Sequence, residues 1–101
     1  MIGPQDFRDR YVSTVSITYA AGSAFGAVLI AVRDAHGGTR QFQIDGVTDF
    51  SIDEDFQSLA IDRCTLVIDS TSVYLCLDPF HEGARSERDN YYFCGSSIRP
   101  A

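Results

Sequence analysis

Apolar and polar residues alternate with a period of two through most of this chain, and no other feature constrains its fold as tightly. In Tyr11 to Tyr19, YVSTVSITY, residues Tyr11, Val15, Ile17 and Tyr19 fall on one side, and Thr14, Ser16 and Thr18 on the other. A strand places successive side chains on opposite faces, so this spacing predicts half-buried strands, not a helix of period 3.6. The stretch AAGSAFG then reads as a loop.

Two hairpins follow from the same pattern. Ala27 to Asp45 turns at AHGGT. A three-residue loop, His36-Gly37-Gly38 with Gly38 left-handed, sets Ala35 opposite Thr39 and Asp34 opposite Arg40. Val28, Ile30 and Val32 then share a face with Phe42 and Ile44, and Arg33, Gln41 and Gln43 point to water. The second hairpin spans about Ile61 to Asp78, with Ser70-Thr71 as its loop. That register pairs Ile68 with Val73, Leu66 with Leu75 and Cys64 with Leu77 on an apolar face. Arg63, Thr65, Asp69, Tyr74, Cys76 and Asp78 take the polar one. Cys64 and Cys76 therefore point apart and are not expected to bond. A last strand is expected over Tyr91 to Ile98.

Between the hairpins, Val47, Phe50 and Ile52 suggest a short strand, and Ser51 with Glu54 has capping-box spacing. Ile52, Phe56, Leu59 and Ala60 would line one side of a short helix. The sum is a single domain of 101 residues, mainly β. Its expected form is a small antiparallel sandwich or curved sheet of about six or seven strands, with at most one short helix. A domain of this size has one core and little room for a deep cleft.

Charge narrows the function. The formal charge is −6, and it is regional: Asp45 to Asp69 holds seven acids and one base, whereas the remainder holds seven acids and seven arginines. Such a surface repels nucleic-acid phosphates and anionic lipid and attracts basic partners. No apolar run reaches the length of a membrane span and the start is polar, so a cytoplasmic protein is expected. Lysine is absent, which codon usage in a GC-rich genome accounts for, and this excludes Schiff-base and phosphate-loop lysines. The three cysteines, Cys64, Cys76 and Cys94, lack metal-site spacing and read as buried, reduced thiols. No cofactor or metal is expected.

Two segments remain as candidate sites. FSIDEDFQ, Phe50 to Gln57, sets Asp53, Glu54 and Asp55 side by side. It lacks the glycine and distal glutamate of a calcium loop, and acids at a helix start offset the helix dipole. The same carboxylates still face water, where Asp49, Phe50, Asp53, Glu54, Asp55 and Phe56 would form a docking face. PFHEGARSERDN, Pro79 to Asn90, is a long polar connection carrying His81 and Glu82. A solvated hairpin connection explains it, and a binding loop is the alternative. No nucleophile accompanies His81 and Glu82, Ser96-Ser97 lacks a nucleophile elbow, and no enzyme is expected.

In size, acidity and β content the chain resembles the small immunity proteins that neutralise bacterial toxins, a likeness of profile that carries no residues across. The resemblance implies an inhibitor or immunity-type protein docking on a basic partner. A small-molecule-binding or enzymatic β-domain, with a pocket between sheets, is the rival. A structural subunit that self-associates through a strand edge is the third reading.

Overall fold

The strands resolve into two antiparallel sheets in a computed structural model that describes residues 2–19, 26–52 and 60–101. The first sheet contains β1 (Arg10–Thr18), β2 (Ala27–Arg33), β3 (Thr39–Asp45), β5 (Ala60–Ile61) and β9 (Ser97–Pro100), in the order β5-β1-β2-β3-β9. The second contains β4 (Asp49–Ser51), β6 (Thr65–Ile68), β7 (Val73–Asp78) and β8 (Asn90–Gly95), in the order β4-β8-β7-β6. A single 3₁₀ turn, Pro4–Asp6, precedes β1. The capping-box helix and the AAGSAFG loop fall largely on residues 53–59 and 20–25, outside the described residues. Of the helix flanks, Ile52 is exposed and Ala60 opens β5.

The inner faces of both sheets meet in one core. Val28, Ile30 and Val32 of β2 and Phe42 and Ile44 of β3 pack against Val73, Leu75 and Leu77 of β7 and Phe93 of β8. Phe7, just before β1, lies 4.7 Å from the Phe42 ring. Fully burying side chains of this kind contributes roughly 1.5–3 kcal/mol each. That is the energy holding the sheets face to face.

Four local features depart from the sequence expectation. In β1 the ladder slips between Val12 and Thr14, so Ser13 is an extra residue, a bulge. Its hydroxyl donates to Ala31 O at 3.1 Å. The slip changes the phase of the alternation: Val12 joins Val15 and Ile17 against the core, while Tyr11 turns outward and is 46% exposed. Tyr19, in phase with Ile17, is exposed because it lies past the end of β1. Tyr11 and Tyr19 are therefore not core residues.

The first hairpin keeps the expected faces but not the expected register. Ile30 pairs with Phe42, Val32 with Arg40 and Arg33 with Thr39. The loop is Asp34–Gly38, and Asp34 builds it: its carboxylate accepts the N–H of His36 at 2.8 Å and of Gly38 at 2.9 Å. Gly37, not Gly38, is left-handed, with φ +87°. Asp34 is thus a loop-closing residue and not the cross-strand partner of Arg40. The second hairpin has the expected register, Ile68 with Val73 and Leu66 with Leu75. Its "polar" face is nevertheless largely buried, since Thr65, Tyr74 and Cys76 lie under another segment.

The expected Tyr91–Ile98 strand is two strands in different sheets. Chain direction changes at Gly95-Ser96, beside the place where β3 gives way to β4 at Gly46–Thr48. β3 pairs with β9 and β4 with β8, so one long ladder folds over a corner and joins both sheets. Ser96 closes it by donating both its N–H (2.9 Å) and its hydroxyl (3.0 Å) to Asp45 O. A Cβ on Gly95 would stand 2.5 Å from Ile44 Cγ2 and 2.8 Å from Asp45 O, and one on Gly46 would meet Ser96 Oγ. This switching, together with the two-residue β5, raises the strand count among the described residues to nine.

Candidate functional site

The outer face of the second sheet can be built row by row from its register. Asp49 (β4) stands beside Cys94 (β8), which stands beside Tyr74 (β7), which stands beside Val67 (β6). The next row is Ser51, Tyr92, Cys76 and Thr65. Tyr74 and Tyr92 are diagonal neighbours, and their rings stack with centroids 5.7 Å apart.

Across this face lies the connection 79–89 between β7 and β8. It joins antiparallel neighbours and most of it is exposed, as a solvated hairpin connection should be, but it is tied down as a folded strap. Asp89, 6% exposed, is its centre: it accepts the Tyr74 hydroxyl at 2.5 Å, the N–H of Phe80 at 2.9 Å and the N–H of Ser86 at 2.9 Å. Burial opposes the Asp89 charge, but these donors and Arg85 outweigh it and hold the carboxyl below the usual range. Tyr74 moves the other way, raised first by burial and then by donating to Asp89.

The rest of the strap is tied to β6 and the segment before it. Gly83 N–H donates to Thr65 Oγ1 at 3.0 Å, and Arg63 donates to Pro79 O at 3.0 Å. Glu82 Oε2 accepts the Cys64 N–H and the Arg8 guanidinium, both at 2.8 Å. Of these two, the Cys64 N–H does more to hold the Glu82 carboxyl below its usual range. His81 lends its carbonyl to Thr65 and sets its ring edge-on to Phe80, 4.6 Å away. Of the two strap residues proposed to touch a partner, Glu82 is therefore committed inside the chain.

One end of the strap closes over the tyrosines. The Arg85 guanidinium lies 4.8 Å above the Tyr74 ring and 6.0 Å from that of Tyr92, a cation–π stack. Tyr92 in turn donates its hydroxyl to Asp49 at 3.3 Å. The two segments singled out in the sequence, the acidic window and the 79–90 connection, thus converge on Tyr92 through Asp49 on one side and Arg85 on the other. Tyr74, Arg85, Ser86, Glu87 and Tyr92 line an open hollow of about 460 Å³. Phe50, on the inner face of β4, is half-buried and packs toward Phe93 with ring centroids 6.5 Å apart. Asp53, Glu54, Asp55 and Phe56 lie outside the described residues.

The thiols are placed for packing. All three cysteines are free. Burial pushes Cys64 and Cys76 up to about 12 and raises half-buried Cys94 as well. Among the described residues, no group of three or more His, Cys, Asp or Glu could hold a metal ion. Sequence reasoning missed Tyr74, Tyr92, Arg85 and Asp89. The available signal was a tyrosine on the same face of each of two strands, Tyr74 in β7 and Tyr92 in β8. Nothing local marked Asp89 as the buried member of an acidic, arginine-rich run.

Comparison of the chain with protein-family models, curated proteins and solved structures returns no match.

Proposed function

We infer that the protein is a non-enzymatic binding module that docks on a basic partner protein, in the manner of an inhibitor or immunity factor. The observation carrying this reading is the asymmetric use of charge. Among the described residues, seven of the eight arginines have a partner within the chain. Arg8, Arg40 and Arg99 bind Glu82, Asp6 and Asp45; Arg10 and Arg63 bind backbone carbonyls; Arg85 and Arg88 cover aromatic rings. Asp49, Asp62 and Asp69 are exposed, and none of them is in an ion pair among the described residues. Among the described residues, most arginines help hold the fold, whereas Asp49, Asp62 and Asp69 face outward. A surface of this kind steers a basic partner electrostatically. Tyr92, beside Asp49, offers the aromatic contact that such interfaces favour.

The test uses immobilised protein in lysate of the source organism, comparing wild type with a variant carrying Asp49→Arg, Asp53→Arg, Glu54→Arg and Asp55→Arg. A basic protein retained by wild type should associate with the variant about tenfold more slowly, with a flattened salt dependence. Equal association rates at low salt would overturn the reading.

The hollow beside Arg85 favours a second reading, a small-molecule site, since a guanidinium and two stacked tyrosine rings converge on it. It opens on the outer face and not between the sheets. A ligand carried through purification and seen by native mass spectrometry, lost in Arg85→Ala, would decide for it.

A further inference from the structure

The ends of the two sheets are not protected alike. β5 is two residues long and is followed by Asp62; β4 is three residues and opens with Asp49; β9 carries Arg99 and ends at Pro100. β1 is paired by β5 only at Arg10 and Tyr11, and its ladder carries the Ser13 bulge. Short length, charge, proline and bulges are the devices that keep strand edges from pairing with other chains. β6, Thr-Leu-Val-Ile, is only four residues long, but it carries no charge, proline or bulge within the strand. Val67 is 44% exposed and Ile68 is 52% exposed.

The register fixes which backbone groups this edge presents. Asp69 N–H bonds Ser72 O at 2.9 Å at the hairpin end. By the alternation of antiparallel ladders, Val67 and Thr65 then bond to β7, while the N–H and C=O of Leu66 and Ile68 point away. One step further, the outward N–H of Cys64 is capped by Glu82. Among the described residues the open edge is therefore four groups, two donors and two acceptors, centred on Val67.

We propose that this edge pairs antiparallel with the β6 edge of a second copy of the chain, on a two-fold axis at Val67. Leu66 of each copy then exchanges both backbone hydrogen bonds with Ile68 of the other, which satisfies all four groups on both sides. The two exposed Val67 side chains meet at the axis. In this register Asp69 of one copy stands opposite Thr65 of the other and diagonal to its exposed Arg63, whose guanidinium also donates to Pro79 O. This charge complementarity selects a second copy over an arbitrary extended peptide. Two four-stranded sheets become one of eight strands. So short an edge buries less than the ~1,200 Å² of a stable interface, which makes the dimer reversible.

Sedimentation equilibrium over a range of about 10 µM to 1 mM, spanning weak affinities, should show a monomer–dimer equilibrium. Exchange of the Leu66 and Ile68 amides should slow as concentration rises. Val67→Lys with Ile68→Lys should raise the dissociation constant about tenfold or more. Arg63→Asp and Asp69→Arg should each weaken the dimer, and the two together should restore it. Within one chain these residues are ~20 Å apart along the strand and cannot meet, and the double variant carries both local folding defects. Recovery can therefore come only from pairing between copies. A wild-type monomer throughout, a dimer indifferent to the edge lysines, or failure of the double variant to recover would each overturn the proposal.

Discussion

Asp89 joins strap and sheet through three donors, and its loss should be felt beyond its size. Asp89→Asn keeps the shape but removes the charge and sets an amide N–H₂ against donors. Hydrogen bonds to a charged group contribute about 1.5–3 kcal/mol, so urea unfolding should show a loss near 2 kcal/mol. Tyr74→Phe removes one of the three donors and should cost about 1 kcal/mol. At the same scale, Cys64 and Cys76 are buried and Cys94 only half-buried, so iodoacetamide at pH 8 should modify native protein first, and slowly, at Cys94, as peptide mapping would show. The sequence disclosed which residues were apolar and how they alternated, but not these roles. Asp89 and Glu87 look alike in the run SERDN, and only the strap's path buries one of them.

At the scale of elements, the corner is the most demanding piece. Gly95→Ala would force a methyl against Ile44 and a carbonyl oxygen, and overpacking of this kind costs about 1–3 kcal/mol. Its thermal midpoint should fall, with the two sheets melting together because one ladder runs through both. Element faces were legible wherever alternation was unbroken: Val28, Ile30 and Val32 point inward as the pattern demands. The second hairpin's register was legible too, because a two-residue loop leaves it little freedom. The first hairpin was misjudged by two residues, since Asp34 closes the loop with its own carboxylate. β1 was misphased because a bulge leaves no mark in composition, and one inserted residue exchanges inside for outside.

For the molecule as a whole, pH dependence follows from the direction of the shifts. Asp6, Asp34, Asp45, Glu82 and Asp89 all have lowered pKa values. The unfolded chain thus takes up protons first as pH falls. Their stabilisation is complete above the ordinary values of 3.8 for Asp and 4.5 for Glu, and is lost as pH drops through the folded ones. Cys64 and Cys76 are raised from 9.0 to about 12, so the unfolded chain releases their protons first. Stability is full below pH 9 and declines toward 12. Thermal midpoints by circular dichroism should form a plateau from about pH 5 to 9, with descent on both sides. A midpoint still rising below pH 4 would contradict the acidic limb.

The order in which strands leave the ribosome has its own consequence. β8, from Asn90 to Gly95, lies at the centre of the second sheet, and among the described residues it is the sole hydrogen-bonded neighbour of β4, which is made some forty residues earlier. Until β8 emerges, β4 has nothing to pair with and β7 shows a bare flank. Vectorial synthesis therefore cannot stabilise this domain piece by piece. A nascent chain cut at residue 89 should stay protease-sensitive, and one reaching residue 101 should become resistant in a single step.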